Sequence, residues 1–328
     1  MAFSLRKSLR FHRNVLSGRS RTAQSELLLK LKLFLAFAAI YVIWGSTFLA
    51  IRFAIESIPP FFMMGSRSIM AGGALYLWAR FRTGERPRPV QWLNAALFGS
   101  LLITAGHGAL AWGEQVVPSG VAALISATTP IWVASIQSLG RNTGHFSGRV
   151  IFGLVTGLVG IFVLVEPSSA FNGIPVNPIG AAVLLCGTLF WALGSIYAKT
   201  AGFPKSPLLT AGMNLLCGGG GLLGLSYISG ESPDLAAISL RSQISLVYLI
   251  LFGSIIGFTA YFWLLRTVSI TKVSTHSYVN PVLAVFFGCL VAGEDLNPRI
   301  FTALILMVIG VASILIKRRP KHQWIRAA

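Results

Sequence analysis

A histidine inside a long apolar stretch is the first group that could take part in chemistry. His107 lies between Gly106 and Gly108, and flanking glycines let a ligand or another helix come close to the imidazole. Imidazole titrates near neutral pH, so His107 could hydrogen-bond a substrate or take part in proton movement. A histidine that only packs, with its ring satisfied by a neighbouring carbonyl group, fits the same position. The sequence leaves both interpretations open.

Two prolines also interrupt apolar stretches, each directly after a polar residue. They form the pairs Thr129-Pro130 and Asn280-Pro281. Proline removes an intrahelical hydrogen bond and kinks a helix, and in a membrane the freed carbonyl needs a partner from protein, water or ligand. We therefore expect both pairs to border a cavity, with the prolines as gating or lining residues. Retention for packing alone is the alternative.

The two pairs match because the second half of the sequence repeats the first. Trp44 is followed eight residues later by Arg52, and Trp191, 147 positions further on, is followed eight residues later by Lys199. Duplicated halves are typical of secondary transporters, whose substrate site lies at the interface of the repeats. The matched tryptophans could stack on an apolar or cationic substrate, or they could pack in the core.

The helices that must position these groups are predicted to lie in lipid. Hydrophobic residues make up 54% of the 328 positions and charged residues 11%, whereas a soluble domain carries about 25% charged residues. Ten charge-poor stretches are long enough to cross ~30 Å of hydrocarbon. They run over 33–51, 61–79, 91–113, 115–140 and 150–165, and then over 177–198, 206–230, 242–265, 273–293 and 300–316. The predicted fold class is an all-α polytopic membrane protein with ten transmembrane helices.

Five spans per half is an odd number, so the second half is turned over and the two repeats are inverted. Cytoplasmic loops are enriched in Lys and Arg, and with the amino terminus inside, 23 of the 27 basic residues fall on that side. We expect cytoplasmic termini, with basic tails over 1–32 and 317–328 and repeats over 33–166 and 177–316. The net charge of +18 then faces anionic lipid rather than nucleic acid. Residues 1–32 also fit an organellar transit peptide or an over-extended start codon.

Two arginines are predicted to lie toward the membrane face opposite the cytoplasm. Arg52 and Arg67 either snorkel to the interface or form a salt bridge that closes a gate, for instance with Glu56 or Glu114.

His276, near the cytoplasmic end of the ninth span, is expected to lie at the membrane interface.

Motifs for other kinds of chemistry are missing from the sequence. It has no GxxxxGK[ST], no HExxH and no nucleophile elbow, and its three cysteines form no CxxC. We therefore expect no cofactor, no metal and no enzymatic activity. An integral-membrane transferase or a passive channel is the alternative to a carrier.

Seven motifs together follow a known pattern. They are Ile43-Trp44-Gly45-Ser46-Thr47-Phe48, Trp112-x-Glu114-Gln115-x-Val117-Pro118-Ser119-Gly120, Thr129-Pro130-Ile131-Trp132, Trp263-Leu264-Leu265-Arg266, Asn280-Pro281-Val282, Ala292-Gly293-Glu294 and Ile309-Gly310. Together they resemble the EamA family of the drug/metabolite transporter superfamily, over about residues 33 to 318. The resemblance implies ten helices in two inverted repeats and export or exchange of small metabolites across a bacterial inner membrane. Gly293-Glu294 has no counterpart in the first half, where Gly140 precedes Arg141, so no role carries over to a first-repeat glutamate.

The sequence thus predicts a secondary transporter that exports or exchanges small metabolites, amino acids or drug-like amphiphiles by alternating access. It is expected to work as a monomer or homodimer among membrane lipids. The predicted substrate-binding residues are Trp44, His107, Trp112, Thr129, Trp191, Tyr261 and Asn280. The predicted gating residues are Arg52, Arg67, Glu114, Pro130 and Pro281.

Overall fold

The regular structure of this chain is helical throughout the part that can be described. The computed structural model describes residues 24, 26–139, 148–165, 177–292 and 298–315. The helices are α1 (Glu26–Ala54), α2 (Pro60–Thr83), α3 (Pro89–Gly113), α4 (Ser119–Ser126), α5 (Thr129–Leu139), α6 (Gly148–Val165), α7 (Pro178–Thr200), α8 (Pro207–Ile228), α9 (Leu240–Thr267), α10 (Ile270–Val273), α11 (His276–Ala292) and α12 (Pro298–Leu315). The predicted tails, apart from the start of α1, and the connections at Gly140-Arg141 and Gly293-Glu294 lie outside the described residues.

Six of the described helical stretches are long and apolar enough to cross a membrane. They are α1, α3, α7, α8, α9 and the stretch Ser119–Gln137, which spans α4 and most of α5. The other predicted spans also fall on helices, namely α2, α6, α11 and α12. The all-helical class is therefore confirmed, while the arrangement of ten spans in two inverted repeats stays a prediction.

Local sequence signals explain where several helices begin and end. Proline occupies the first position of α2, α3, α7 and α8, where its missing N–H removes no intrahelical bond. The side chain of Asn177 accepts hydrogen bonds from the first amides of α7, which is the usual role of a residue that caps a helix. Helix α2 ends at Gly84, whose φ of 64° is readily reached by glycine.

A closely packed helix pair joins the two halves of the chain. A methyl group added to Gly212 of α8 would lie 2.5 Å from the backbone nitrogen of Tyr76 in α2, and one added to Gly72 would lie 2.8 Å from the backbone nitrogen of Leu216. Small residues at a helix contact let the backbones approach closely. Here α2 and α8 pack backbone against backbone.

Two carboxylates fix the direction of this pair. Glu231, just after α8, accepts hydrogen bonds from the amides of Phe61 and Phe62 at 3.1 and 2.8 Å. Glu85, just after α2, accepts hydrogen bonds from the first amides preceding α8, those of Lys205 and Ser206, at 2.9 and 3.3 Å. Each helix therefore begins where the other ends, so the two run antiparallel, and each receives negative charge at its positive end.

Several helices depart from regular α geometry. Helices α1, α3 and α9 contain π-helical segments at Ala39–Ile43, Ser100–His107 and Leu249–Ile256, and such segments are frequent at functional sites. The fourth and ninth predicted spans are interrupted at residues 127–128 and 274–275.

The two proline sites differ in their helical surroundings, and the predicted kinks at these positions stay a prediction. The first break comes before Pro130, which is the second residue of α5 and needs no intrahelical N–H there. Pro281 lies inside α11. The break at 274–275 is about one helical turn further from Pro281 than the break at 127–128 is from Pro130.

Candidate functional site

A buried cavity lies where the two halves of the chain meet. Its volume is about 70 Å³, on a scale where one buried water needs roughly 10–15 Å³. First-half helices line it with Trp44, Thr47, Phe48, Ile51, Arg67, Gly106, His107, Leu110, Ser126 and Thr129, and second-half helices with Leu184, Gly187, Thr188, Trp191, His276, Ser277 and Asn280. Five of the seven predicted substrate-binding residues are thus brought together.

The matched tryptophans form one wall of the cavity. The rings of Trp44 and Trp191 meet edge to face, with centroids 5.6 Å apart, a favourable arrangement for aromatic pairs. The indole nitrogen of Trp44 donates a hydrogen bond of 3.0 Å to the carbonyl of Gly253. Gly257 leaves the room for this ring, because an added methyl group would lie 2.3 Å from that nitrogen. Trp44 is therefore held in place from both sides.

Two imidazoles face the tryptophan pair. The ring of His107 lies 5.2 Å from that of Trp191, and its Nδ1 has no hydrogen-bond partner among the described residues. The ring of His276 lies 5.0 Å from that of Trp44 and 3.3 Å from the side-chain amide of Asn280. His276 is 6% exposed, so the expectation that it lies at the membrane interface is wrong. It packs inward because it shares a helix face with Asn280, four residues later.

Hydroxyl groups complete the polar part of the lining. Thr188 lies 3.0 Å from the hydroxyl of Thr128 and accepts a hydrogen bond of 3.1 Å from the Trp132 indole. Thr129 donates its hydroxyl proton to the carbonyl of Ser126 at 2.8 Å. Oxygen lone pairs on Thr129 therefore remain as acceptors at the cavity.

Arg67 lies in the cavity wall and not at the interface. It is 2% exposed, so the snorkelling interpretation is wrong for this residue. Its Nε donates to the hydroxyl of Ser254 at 2.8 Å, and its Nη1 lies 3.5 Å from the sulfur of Met64. The bond to Ser254, on α9, holds the guanidinium against the second half of the chain.

The predicted gate partners are arranged differently from a simple salt bridge. Arg52 donates to the backbone carbonyl of Glu114 at 2.6 Å, and Glu56 pairs with Arg241 at 3.3 Å instead of with Arg52 or Arg67. Glu114, directly after α3, is fully buried, and its carboxylate oxygens have no hydrogen-bond partner in the described ranges. Burial raises the pKa of Glu114 well above its usual range, against the opposing effect of Arg52 and Arg67.

The second half has a contact that matches the one at Arg52. Lys199, the repeat counterpart of Arg52, donates to the backbone carbonyls of Leu265 and Val268 at the end of α9. In both halves, a basic residue at the end of the first helix therefore binds carbonyl groups at the end of the third.

Two of the predicted substrate-binding residues lie outside the cavity. Trp112 lines a separate and wider space of about 600 Å³ near the start of α2, together with Pro59 and Glu231. Tyr261 packs 5.2 Å from Trp44 between ring centroids, and its hydroxyl lies 2.5 Å from that of Ser195. Tyr261 supports the tryptophan wall from behind.

Five polar lining residues were not predicted from the sequence as binding or gating residues. They are Thr47, Ser126, Thr188, His276 and Ser277. Each lies three or four positions from a predicted residue, the spacing that places two side chains on one face of a helix. That spacing is the signal that could have identified them.

A bundle of membrane-spanning helices around a buried cavity that draws on both sequence halves is the architecture of a membrane transporter. The sequence profile of the EamA-like transporter family matches residues 31–166 and again 178–316. The chain belongs to this family. No cluster of three or more potential metal ligands occurs among the described residues.

Relatives and a solved structure agree with this assignment. The chain is 37% identical over 286 residues to the "Uncharacterized inner membrane transporter YedA" of Escherichia coli K12, covering 87% of this chain and 90% of that protein. It is 26% identical over 288 residues to the "Uncharacterized transporter YoaV" of Bacillus subtilis, covering 85% and 95%. A crystal structure with 18% identity has the same fold, with a TM-score of 0.66 over 86% of this chain and 96% of that one. The chain is thus a multi-pass inner-membrane protein.

Proposed function

We propose that this protein is a secondary transporter that moves a small organic metabolite by alternating access. The observation that supports this most directly is the buried cavity, because it draws its lining from α1 to α5 of one half and from α7 and α11 of the other. If the halves rock against each other, they open such a cavity to one side of the membrane and then to the other.

The proposal includes ten spans in two inverted repeats, with both termini in the cytoplasm. The antiparallel pair α2 and α8 supports it, since Glu85 and Glu231 make equivalent contacts at opposite ends of that pair. The matching contacts of Arg52 and Lys199 support it as well. Reporter fusions at both ends of the chain test this topology, and termini on different sides of the membrane would contradict it.

Within the proposed cycle, Arg52 and Lys199 hold neighbouring helices together near opposite membrane faces. Arg52 ties α1 to α3 through the carbonyl of Glu114, and Lys199 ties α7 to α9 through the carbonyl of Val268. Each bond joins two helices of the same half, so it holds that half together while the halves rock, and it breaks only if those two helices move apart. The helix breaks at residues 127–128, beside Pro130, and at residues 274–275, before α11, provide places where the fourth and ninth predicted spans can bend. Pro281 lies inside α11 and weakens that helix locally.

His107 is the proposed contact for a polar group of the substrate. Its Nδ1 is buried and has no hydrogen-bond partner among the described residues, which is costly unless a ligand or water supplies one. The same nitrogen could carry a proton through the cycle.

Flux into proteoliposomes tests the function. The full-length protein is screened with radiolabelled small metabolites, and saturable counterflow is expected for at least one of them. Flux that does not saturate would indicate a channel, and product without net flux would indicate an enzyme. We expect His107→Ala to slow transport by about tenfold or more, as for loss of one buried hydrogen bond to substrate.

The matched control is Tyr227→Ala, which removes a side chain that is 87% exposed at the end of α8. It is expected to transport like the wild type. Unaltered transport in His107→Ala would remove His107 from the site.

A further inference from the structure

The charge of the cavity lining is the starting point for an inference about the substrate. The lining includes one arginine, Arg67, and two imidazoles, but no Asp or Glu among the described residues. A buried charge in a region of low dielectric constant acts on a bound ligand far more strongly than a surface charge does. The lining therefore favours one sign of ligand charge.

Arg67 has donors to spare. A guanidinium carries five N–H donors, and in the described part of the chain those of Arg67 bond to the Ser254 hydroxyl and approach the Met64 sulfur. A thioether sulfur is a weak acceptor. A buried guanidinium in this state is expected to bind an acceptor that carries negative charge, because charge-assisted pairs are the strong ones.

The nearest carboxylate does not fill this role. Glu114 is close enough to Arg67 to interact electrostatically, but neither of its oxygens has a hydrogen-bond partner in the described ranges. Glu114 also does not line the cavity. Arg52, the other charged group near Glu114, is itself a cation and adds positive charge at this end.

We propose that Arg67 binds an anionic group of the substrate, and that the cavity therefore selects organic carboxylates with a flat apolar body over organic cations. This specificity rests on the proposed transport function. The Trp44 and Trp191 rings provide the apolar surface beside Arg67. Indole faces also attract cations, but that attraction is weaker than the repulsion of a cation by a buried like charge a few ångströms away.

Three ring compounds of almost equal shape test the proposal. Benzoate, benzamide and benzamidinium carry charges of minus one, zero and plus one. Their apparent affinities are measured on the purified full-length protein from the shift in thermal unfolding with ligand concentration. We expect benzoate to bind at least about tenfold more tightly than benzamidinium, as one charge-assisted hydrogen bond predicts.

Variants assign the preference to Arg67. In Arg67→Gln, the affinity for benzoate should fall by about tenfold or more and the three ligands should bind within about threefold of each other. Arg67→Lys retains the charge and should keep a preference for benzoate. If it does, a lost preference in Arg67→Gln comes from the missing charge and not from a loss of fold. Arg241→Gln is the matched control, since it removes an exposed arginine that pairs with Glu56 away from the cavity, and it should bind all three ligands like the wild type.

Several outcomes would overturn the proposal. They are benzamidinium binding as tightly as benzoate, no detectable benzoate binding, and an unchanged benzoate preference in Arg67→Gln. These failures are distinguishable from failure of the proposed function. Saturable counterflow of an organic cation would keep the transporter and reject anion selection, whereas absence of any saturable flux would reject the transporter itself.

Discussion

Replacing Gly257 by alanine tests the geometry that holds the tryptophan wall. An added methyl group would lie 2.3 Å from the indole nitrogen of Trp44, and ordinary contact begins at 3.4 Å. The indole must therefore retreat by about 1.1 Å, the difference between these two distances. Such a shift also strains its hydrogen bond of 3.0 Å to the Gly253 carbonyl.

The size of the effect follows from three contributions. Overpacking costs about 1–3 kcal/mol, and weakening a buried hydrogen bond costs about 0.5–1.5 kcal/mol. Alanine in a helix returns up to ~1 kcal/mol relative to glycine. We therefore expect Gly257→Ala to lose about 0.5–4.5 kcal/mol of stability.

Thermal unfolding in detergent, followed by tryptophan fluorescence, measures the loss. Gly220→Ala is the control, because Gly220 lies in helix α8 and an added methyl group meets nothing within 4 Å. The control should unfold at or above the temperature of the wild type, and Gly257→Ala clearly below it. If Gly257→Ala unfolds together with the control, Trp44 does not lie against Gly257 and our account of this wall is wrong.

Three further predictions concern other parts of the molecule. Glu231→Ala should lower the melting temperature by the equivalent of about 1–2 kcal/mol, because it removes both acceptors at the start of α2. The control Asp234→Asn, which removes an exposed charge but keeps the oxygen that accepts from the Ala236 amide, should not; equal melting of the two variants would reject the cap. Glu114→Gln should melt at or above wild type, because its buried oxygens have no hydrogen-bond partner in the described part of the chain; a marked fall would instead indicate an ionised, paired carboxylate. In benzoate titrations, Trp112→Ala should bind like the wild type and Trp191→Ala should bind more weakly, because of these two tryptophans only Trp191 lines the cavity. The reverse order would place the binding site in the wider space that Trp112 lines.

The main features of the site could be predicted from the sequence because the duplication is visible there. Trp44 and Trp191 occupy equivalent positions, as do Thr129 and Asn280, and all four line one cavity. A polar or large aromatic group in the middle of an apolar span has few places to go other than an interior cavity. Residue type and position along the helix were enough for these four.

The depth and direction of individual side chains could not be predicted in the same way. Arg67 is buried because α2 turns it toward Ser254, which is 187 positions away in the sequence. His276 faces inward for a similar reason, since the break at residues 274–275 sets where α11 begins. Which face of a helix meets which neighbour depends on packing between distant segments, and a single sequence with hydrophobic residues on every side does not record it.

Helix ends were easier to predict than helix breaks. Pro60, Pro89 and Pro207 mark starts, and most helices begin within about two residues of the predicted span. The first helix is an exception, because it begins at Glu26, in the segment predicted as tail. The fourth and ninth spans are the others, since α4 begins at Ser119 instead of 115 and α10 begins at Ile270 instead of 273. The π-helical segments were not predicted from the sequence.

The exchange of helix caps between α2 and α8 means that neither half of the chain is complete by itself. Glu85 belongs to the first half and accepts hydrogen bonds at the start of α8, in the second half. Glu231 belongs to the second half and accepts hydrogen bonds at the start of α2, in the first half. If the protein were cut between residues 166 and 177, each fragment would keep one helix start without its acceptor. Each fragment would also keep one carboxylate without its amide donors. A second chain could supply the missing acceptor if one of its helices packed antiparallel to the exposed helix start. The covalent link between the halves therefore fixes an association that two separate molecules would otherwise have to form in the membrane.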